Sequence, residues 1–543
     1  MEDDKPEERF AMRQGRDGEE LQGIAVGAQI AAIYTSDWFW DLCVRVFPNN
    51  DVLPEERDGG APQHFPDWFL FLAMCAAGIA GHATIKSAVK HFRDRSTWVD
   101  FVARVDAYVP DGMTRLRNLP CRKPDKAHPT LTRPGTKRNS RTRPRTRSTG
   151  VVVPLRVRPT CEPPQRHHLD QFELRWRGIQ KKNRQPFPLG HRDYGLRDKA
   201  FAAFRDLAVD QAQAMGVMNP GAKFFYRNPD RNQFVGADGT VMPVPRKTDN
   251  ATAALCRTGT GKKVFGSKYT IFSTRINSQY MSRIILDLVH THTKHPGSAR
   301  TESDAVLDVM PKLRALSNDG VKGLLVDSAV RGQAVIELQR GGLIVVNYPH
   351  AQHNPGGGPG RRLNPSRKEK SRLRFIPTHT DATGQPCEHF IYAVGGELLE
   401  LVGTDDGTDA VRPLRVSDYE RRGEDGKVRE RLTVEIKCAW AGDFSQEVPL
   451  FHADATSTSP SGTNWGEVCR VYPPGSAEFK YLYGARNDTE ARHSDLKARV
   501  KNLSRDVLGQ ELRLLAASVA RNAIAWQVHL QAHGENNVLD DTA

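Results

Sequence analysis

The sequence predicts an α/β core that carries a β-rich insertion and follows an all-α N-terminal domain. Three observations predict it. Residues 20–108 read as helical. Residues 221–347 read, in order, as three strands, a helix, a strand, a helix and a strand. Residues 348–470 interrupt that order with a Gly- and Arg-rich stretch and further strand-like runs, before helices resume.

Composition sets the outer limits. With 543 residues, 38% hydrophobic and 26% charged, the chain is long enough for two to four domains and a substantial core. A formal net charge of +14 favours a polyanionic partner, nucleic acid first and an anionic membrane second. The eight Cys are widely spaced with no Cys-x2-Cys pair, so free thiols in the cytoplasm are expected, without a zinc or redox motif. The acidic start MEDDKPEERF does not read as a signal peptide, and none is expected. The apolar run 68–81 falls short of the roughly 18 residues that a membrane span needs. It reads as a buried helix, and no membrane is expected.

Residues 21–47 have the periodicity of two helices, and Pro66-Asp67-Trp68 starts another that runs to about residue 80. Residues 82–105 intersperse apolar side chains with Lys86, Lys90, His91, Arg93 and Arg95. A helix-turn-helix and a helical bundle with a basic surface both fit that pattern. The N-terminal domain is placed at 1–114 and a linker at 115–165. Residues 115–147 hold twelve Lys or Arg against one Asp, Asp125, with many Pro and Thr, so this stretch cannot bury a core. Its charge suits salt-sensitive DNA affinity, a merely solvated linker, or sequence foreign to the ancestral fold.

A helical connector, 166–220, includes an amphipathic helix at 196–215. The first part of the core, 221–347, opens with a strand at 233–244 that holds Asp238, followed by strands at 268–276 and 283–292. A helix at 302–316 is expected to kink at Pro311. The short strand 321–327 ends in Asp327, and a helix at 331–340 leads to the strand 343–347. A parallel strand reached by a crossover helix ends at the sheet edge where ligands bind, and Asp327 stands there. Asp304 and Asp308 fall on a helix and Asp287 inside a strand, so position favours Asp327. Asp238 precedes Gly239 and could mark a turn, but its place amid an apolar strand argues against a hairpin tip. The insertion, 348–470, has strand-like runs at 389–402, 412–416 and 431–440. The final core segment, 471–533, ends in an apolar helix at 508–530, and 534–543 is a tail.

Within that last segment Tyr483, Arg486, Glu490, His493 and Lys497 recur at spacings of three, four, three and four. On one helix they gather in a stripe of about 80°. Asp488, Arg492, Asp495 and Arg499 form the opposite, solvated face, and Ala485, Leu496 and Val500 an apolar flank. A carboxylate between cations and a phenol suits a place where phosphates meet a metal ion. Intrahelical pairing, Arg486 with Glu490 for example, is the plainer alternative.

The spacing Tyr-x2-Arg-x3-Glu-x6-Lys resembles the YREK signature of a large superfamily of bacterial insertion-sequence DDE transposases. The resemblance implies a ribonuclease H-like core in which Asp238, Asp327 and Glu490 are catalytic and hold two Mg2+ or Mn2+ ions. It implies that Arg486 and Lys497 contact DNA phosphates, and Tyr483 is placed there too. Double-stranded DNA, both element ends and target, would be the partner, bound by a homodimer at the nucleoid. The N-terminal domain would bind the terminal repeats and the insertion would contact DNA. Hydrolysis at the element's ends would precede attack of the freed 3′-hydroxyl on target DNA. Many relatives follow the second Asp with Arg-Gly-aromatic, whereas this chain has Ser328-Ala329-Val330-Arg331-Gly332. A decayed DNA-binding protein and a metal-dependent nuclease without strand transfer share the same expected fold. His290, His292 and His295 lack a Cys or carboxylate at ligand spacing and read as a strand end. Trp440 and Trp465 suit either buried packing or stacking on an extruded base.

Overall fold

The computed structural model describes residues 20–21, 24–47, 65–79, 95–118, 164, 166–180, 184–191, 193–244, 253–257, 263–276, 282–291, 300–349, 378–394, 396–403, 409–424, 427–451, 469–486, 496–497, 500 and 507–533. After the short pair Glu20–Leu21 (β1) and Ile24–Ala25 (β2), the described residues hold the helices Val26–Tyr34 (α1), Asp37–Val46 (α2), Asp67–Ile79 (α3) and Arg95–Asp106 (α4). The apolar run is buried along α3, and no helix among the described residues is long and apolar enough to cross a membrane. Residues 80–94, which carry most of the basic candidate for a helix-turn-helix, lie outside the described residues.

The linker expected from residue 115 starts with ordered backbone. Leu116–Asn118 forms a 3-10 turn because Asp106 accepts from the N–H of Leu116 (2.7 Å) and of Arg117 (2.8 Å), while the Leu116 side chain is buried. Residues 119–163 lie outside the described set. Helices Arg166–Trp176 (α5) and Leu196–Ala214 (α6) then lead to the sheet.

The sheet strands are Phe234–Pro243 (β3), Ala254–Arg257 (β4), Lys263–Arg275 (β5), Arg283–Thr291 (β6), Gly323–Leu325 (β7) and Ile344–Val346 (β8). β3 lies centrally, antiparallel to β5 and parallel to β7, which is parallel to β8. The far edge of β5 is shared by β4 and β6, both antiparallel. The sequence pattern missed β4 and placed the start of β5 five residues late, because Lys263, Val264 and Phe265 alternate weakly. Helix Glu302–Leu316 (α7) crosses from β6 to β7 and continues through Pro311; Gln333–Arg340 (α8) crosses from β7 to β8.

Alternation along the strands assigns the two faces. Val235, Leu324, Val326 and Val345 pack with α6, α7 and α8. Phe234, Leu325, Ile344 and Val346 face the other way, onto the insertion. The described part of the insertion is β-rich and holds three small antiparallel sheets. They are Thr378–Thr380 (β9) with Pro386–Glu388 (β10); Phe390–Val394 (β11), Glu397–Gly403 (β12) and Asp409–Pro413 (β13); and Arg415–Glu424 (β14), Lys427–Ile436 (β15) and Phe444–Phe451 (β16). Helix Ala477–Gly484 (α9) returns the chain to the sheet, and Val507–Ala532 (α10) closes it.

α10 has a wider role than closing the core. Leu512, Leu515, Val519 and Ile524 share one apolar cluster with Trp68, Phe69 and Trp98 of the N-terminal helices and with Ile285 and Leu288 of β6. The N-terminal helices and the sheet therefore pack around a common helix.

Candidate active site

The parallel register of β3 and β7 ends at Gly236 opposite Leu325. Two residues further along each chain come Asp238 and Asp327, so both acids leave the sheet at one level and on one face. Asp238 is buried and accepts from the N–H of Gly239 (3.0 Å); Asp327 is half-buried and accepts from the N–H of Ala329 (2.8 Å). Asn347, at the end of β8, fixes the Asp327 turn by donating to the carbonyls of Asp327 (3.2 Å) and Val330 (2.7 Å), while Arg470 donates to Asn347 Oδ1 (2.7 Å).

The third carboxylate at this point is one that the sequence reading did not single out. Glu302, Asp238 and Asp327 each offer an oxygen, and these atoms lie within 4.8 Å of one another. Glu302 occupies the first position of α7, whose start is fixed by a reciprocal cap: Asp304 N donates to Thr301 Oγ1 (3.2 Å) and Thr301 N to Asp304 Oδ2 (2.7 Å). A Cβ on residue 239 would come within 2.5 Å of Glu302 Oε1, so Gly239 leaves the room that Glu302 fills. That glycine, inside an apolar strand and beside an acid, was the available signal. Lys268 of β5 forms an ion pair with Glu302.

Glu490, expected as the third acid, lies outside the described residues, as does His493. Their expected neighbours are arranged differently from a single helix starting at Tyr483. α9 starts at Ala477, where Ser476 Oγ accepts from Phe479 N (3.1 Å), and ends at Gly484 with Ala485 N turned back to Leu482 O (3.0 Å). Tyr483 is thus in its last turn, stacked on Phe479 (centroids 5.1 Å) and edge-on to Tyr348 (4.9 Å), and Arg486 lies beyond it. The Arg486 guanidinium is 3.6 Å from Asp238 Oδ1. Lys497 is half-buried: burial lowers its pKa, with the Asp238 charge acting against that shift.

The electrostatics follow from crowding. Burial first, then the charges of Asp327 and Glu302, push the Asp238 carboxyl up to about 7 from its ordinary 3.8, against the opposing pull of Arg486 and the Gly239 N–H. Tyr483 is raised by burial and by Asp327 and Asp238, with Arg486 opposing. Three hard oxygen donors whose crowding a cation would relieve fit a divalent ion such as Mg2+. The other acids weighed in this stretch are engaged elsewhere: Asp287 with Arg205 (2.6 Å), Asp308 with Lys312 (2.6 Å) and Arg300 (2.7 Å), and Asp304 in the cap. Beside the acids a cleft runs between Gly236, Leu325 and Ala485 and is lined by Arg231, Arg275 and Arg283.

No family model and no curated protein matches the chain. Of the remaining candidates, His290 packs its ring on Tyr269 (5.1 Å), while His292 and His295 lie outside the described residues. Trp440 is 80% exposed, so it is not core packing, and Trp465 lies outside the described residues.

Proposed function

We propose that this chain is a metal-dependent enzyme that cuts DNA and joins the ends, a transposase of the DDE type with a ribonuclease H-like core. The observation that carries the reading is the meeting of Asp238, Asp327 and Glu302 within 4.8 Å, with Arg486 3.6 Å from Asp238. The strand order, an antiparallel start of β3 to β6 followed by the parallel strands β7 and β8, supports it, as do the residues Tyr483, Arg486 and Lys497 of the YREK-like spacing gathered about those acids.

Divalent metal, when bound by Asp238 and Asp327 with a third carboxylate, supplies an activated water or 3′-hydroxyl and stabilises the leaving oxygen. The chain's own residues hold and orient the DNA. Arg486 presents a planar fork to a phosphate and Lys497 a point charge. Arg231, Arg275 and Arg283 line the cleft beside the acids and add positive charge there. Asn347 keeps Asp327 turned toward Asp238 through its two carbonyl contacts. A duplex held by a homodimer, at the nucleoid, completes the proposal.

The test is Mg2+-dependent cleavage and strand joining on DNA carrying the element's own ends, comparing the parent with Asp238→Asn, Glu302→Gln and Glu490→Gln. Loss of cutting by at least a hundredfold in Asp238→Asn, with end binding intact, is the expected result. If Glu490→Gln falls equally while Glu302→Gln cuts, Glu490 is the third acid and Glu302 positions Lys268. The reverse assigns the role to Glu302. Cleavage unaffected by Asp238→Asn overturns the site, and cleavage without joining reduces the protein to a nuclease.

A further inference from the structure

In the insertion, His379, Cys387 and His389, close in sequence, meet the distant Cys438. Cys387 and His379 are register partners across β9 and β10, which puts their side chains on one face of that hairpin. His389 is two residues beyond Cys387 and shares that side. The rings of His379 and His389 both pack on Phe444, at 4.3 and 5.3 Å between centroids. Phe444 is itself the register partner of Ile436, two residues before Cys438. Phe444 therefore sets both imidazoles beside the Cys438 thiol.

Each donor is prepared for a cation. His389 is 8% exposed, with Nδ1 2.5 Å from Glu400 Oε1 and a buried Nε2 that meets no hydrogen-bond partner. Glu400 is buried in turn and held by Arg412 Nε (3.2 Å). A carboxylate that fixes one imidazole nitrogen leaves the other free to ligate, the arrangement common behind metal-bound histidines. His379 Nδ1 is likewise buried without a partner. Cys438 Sγ accepts from the N–H of Ala441 (3.4 Å) in a tight turn closed by Gly442 at φ +79°. The Ala441 and Trp440 amides and the two histidines favour its thiolate, whereas burial and the neighbouring Cys438 raise the Cys387 thiol. The two histidines come near Cys438 without reaching hydrogen-bond geometry.

We propose that His379, Cys387, His389 and Cys438 bind one Zn2+ ion that staples the three small sheets of the insertion together. The residues come from β9, β10, the one residue between β10 and β11, and the turn after β15, so a single ion would tie all three sheets. Two thiolates neutralise the ion, leaving no net buried charge; Cys438 already favours its thiolate, so the proton that binding releases to solvent is chiefly that of Cys387. No three of the four donor atoms lie within 4.8 Å of one another, so ligation draws the side chains inward onto the ion. The spacing has no short Cys pair, which is why the sequence did not suggest it. The site is separate from the carboxylate cluster and independent of any reaction there.

The experiment measures metal content of the full chain purified without chelating resin, by mass spectrometry, for the parent, the Cys387→Ser/Cys438→Ser double variant and Asp238→Asn. One zinc per chain is expected in the parent and in Asp238→Asn, and none in the double variant. Because the double variant could misfold, the parent is also loaded with Co2+. A thiolate-to-cobalt charge-transfer band with tetrahedral d–d absorption is expected. A parent with no firmly held zinc, zinc retained by the double variant, zinc lost in Asp238→Asn, a cobalt spectrum without thiolate bands, or a Cys387–Cys438 disulfide in the purified chain each overturns the proposal.

Discussion

Asp238 carries an ionisation penalty that a bound cation would remove. Its folded pKa of about 7 stands above the ordinary 3.8, so between those values the folded chain keeps a proton that the unfolded chain has lost. Stability is therefore expected to fall as pH rises through that window, by at most about 4 kcal/mol. In chelator, Asp238→Asn should melt higher than the parent at pH 8, and the difference should disappear near pH 4. Adding Mg2+ at pH 8 should raise the parent's Tm and leave the variant's unchanged. Scanning calorimetry at the two pH values checks both points; an equal gain from Asp238→Asn at acid and alkaline pH would show that the carboxyl is not strained by ionisation. Asp238 and Asp327 were legible in the sequence because one stands inside an apolar strand and the other just past the end of one, and both strands can be located from local pattern. Glu302 was not, since its relation to Asp238 depends on how α7 lands on the sheet, although Gly239 was a local trace of it.

At the scale of elements, β6 is an edge strand that α10 covers. Asn522 completes its hydrogen bonding: Ile285 N donates to Asn522 Oδ1 (2.9 Å), and Asn522 Nδ2 donates to Ile285 O (2.8 Å). Gln211 of α6 donates to Asn522 O (2.8 Å), so strand and two helices meet at one buried amide. Asn522→Ala removes both partners of a buried backbone pair and should cost about 2–4 kcal/mol in urea unfolding. A loss under 0.5 kcal/mol would mean that the edge is not sealed in this way. Helical periodicity placed α10 within two residues at either end, yet an Asn inside an apolar helix reads locally as a mere tolerated polar residue.

For the whole molecule, the shared cluster on α10 sets an expectation about the N-terminal helices. Read from sequence they form a domain at 1–114, but Trp68, Phe69 and Trp98 bury against the same cluster as Leu512, Leu515 and Val519. A chain lacking residues 1–118 should expose that apolar face and aggregate, and co-expression with residues 1–118 as a separate polypeptide should return a monodisperse complex by size-exclusion chromatography. A monomeric, cooperatively folded truncated chain would show that the N-terminal helices are dispensable to the core.

What the sequence by itself determined is most of the order and type of the described elements: helices, then β3, β5 and β6, a helix, a strand, a helix, a strand, then strand-rich segments and a long apolar helix, with β4 and the short β1–β2 pair missed. Period-2 and period-3.6 patterns, a strand-ending acid and the turn residues are local properties, readable wherever burial alternates. The tertiary structure alone decided which residues meet. Glu302 reaches Asp238 because β3 and β7 pair in parallel while α7 crosses over them, and Phe444 carries two histidines to Cys438 because β15 and β16 pair in one register. Such contacts join residues tens of positions apart, and packing rather than local propensity fixes them.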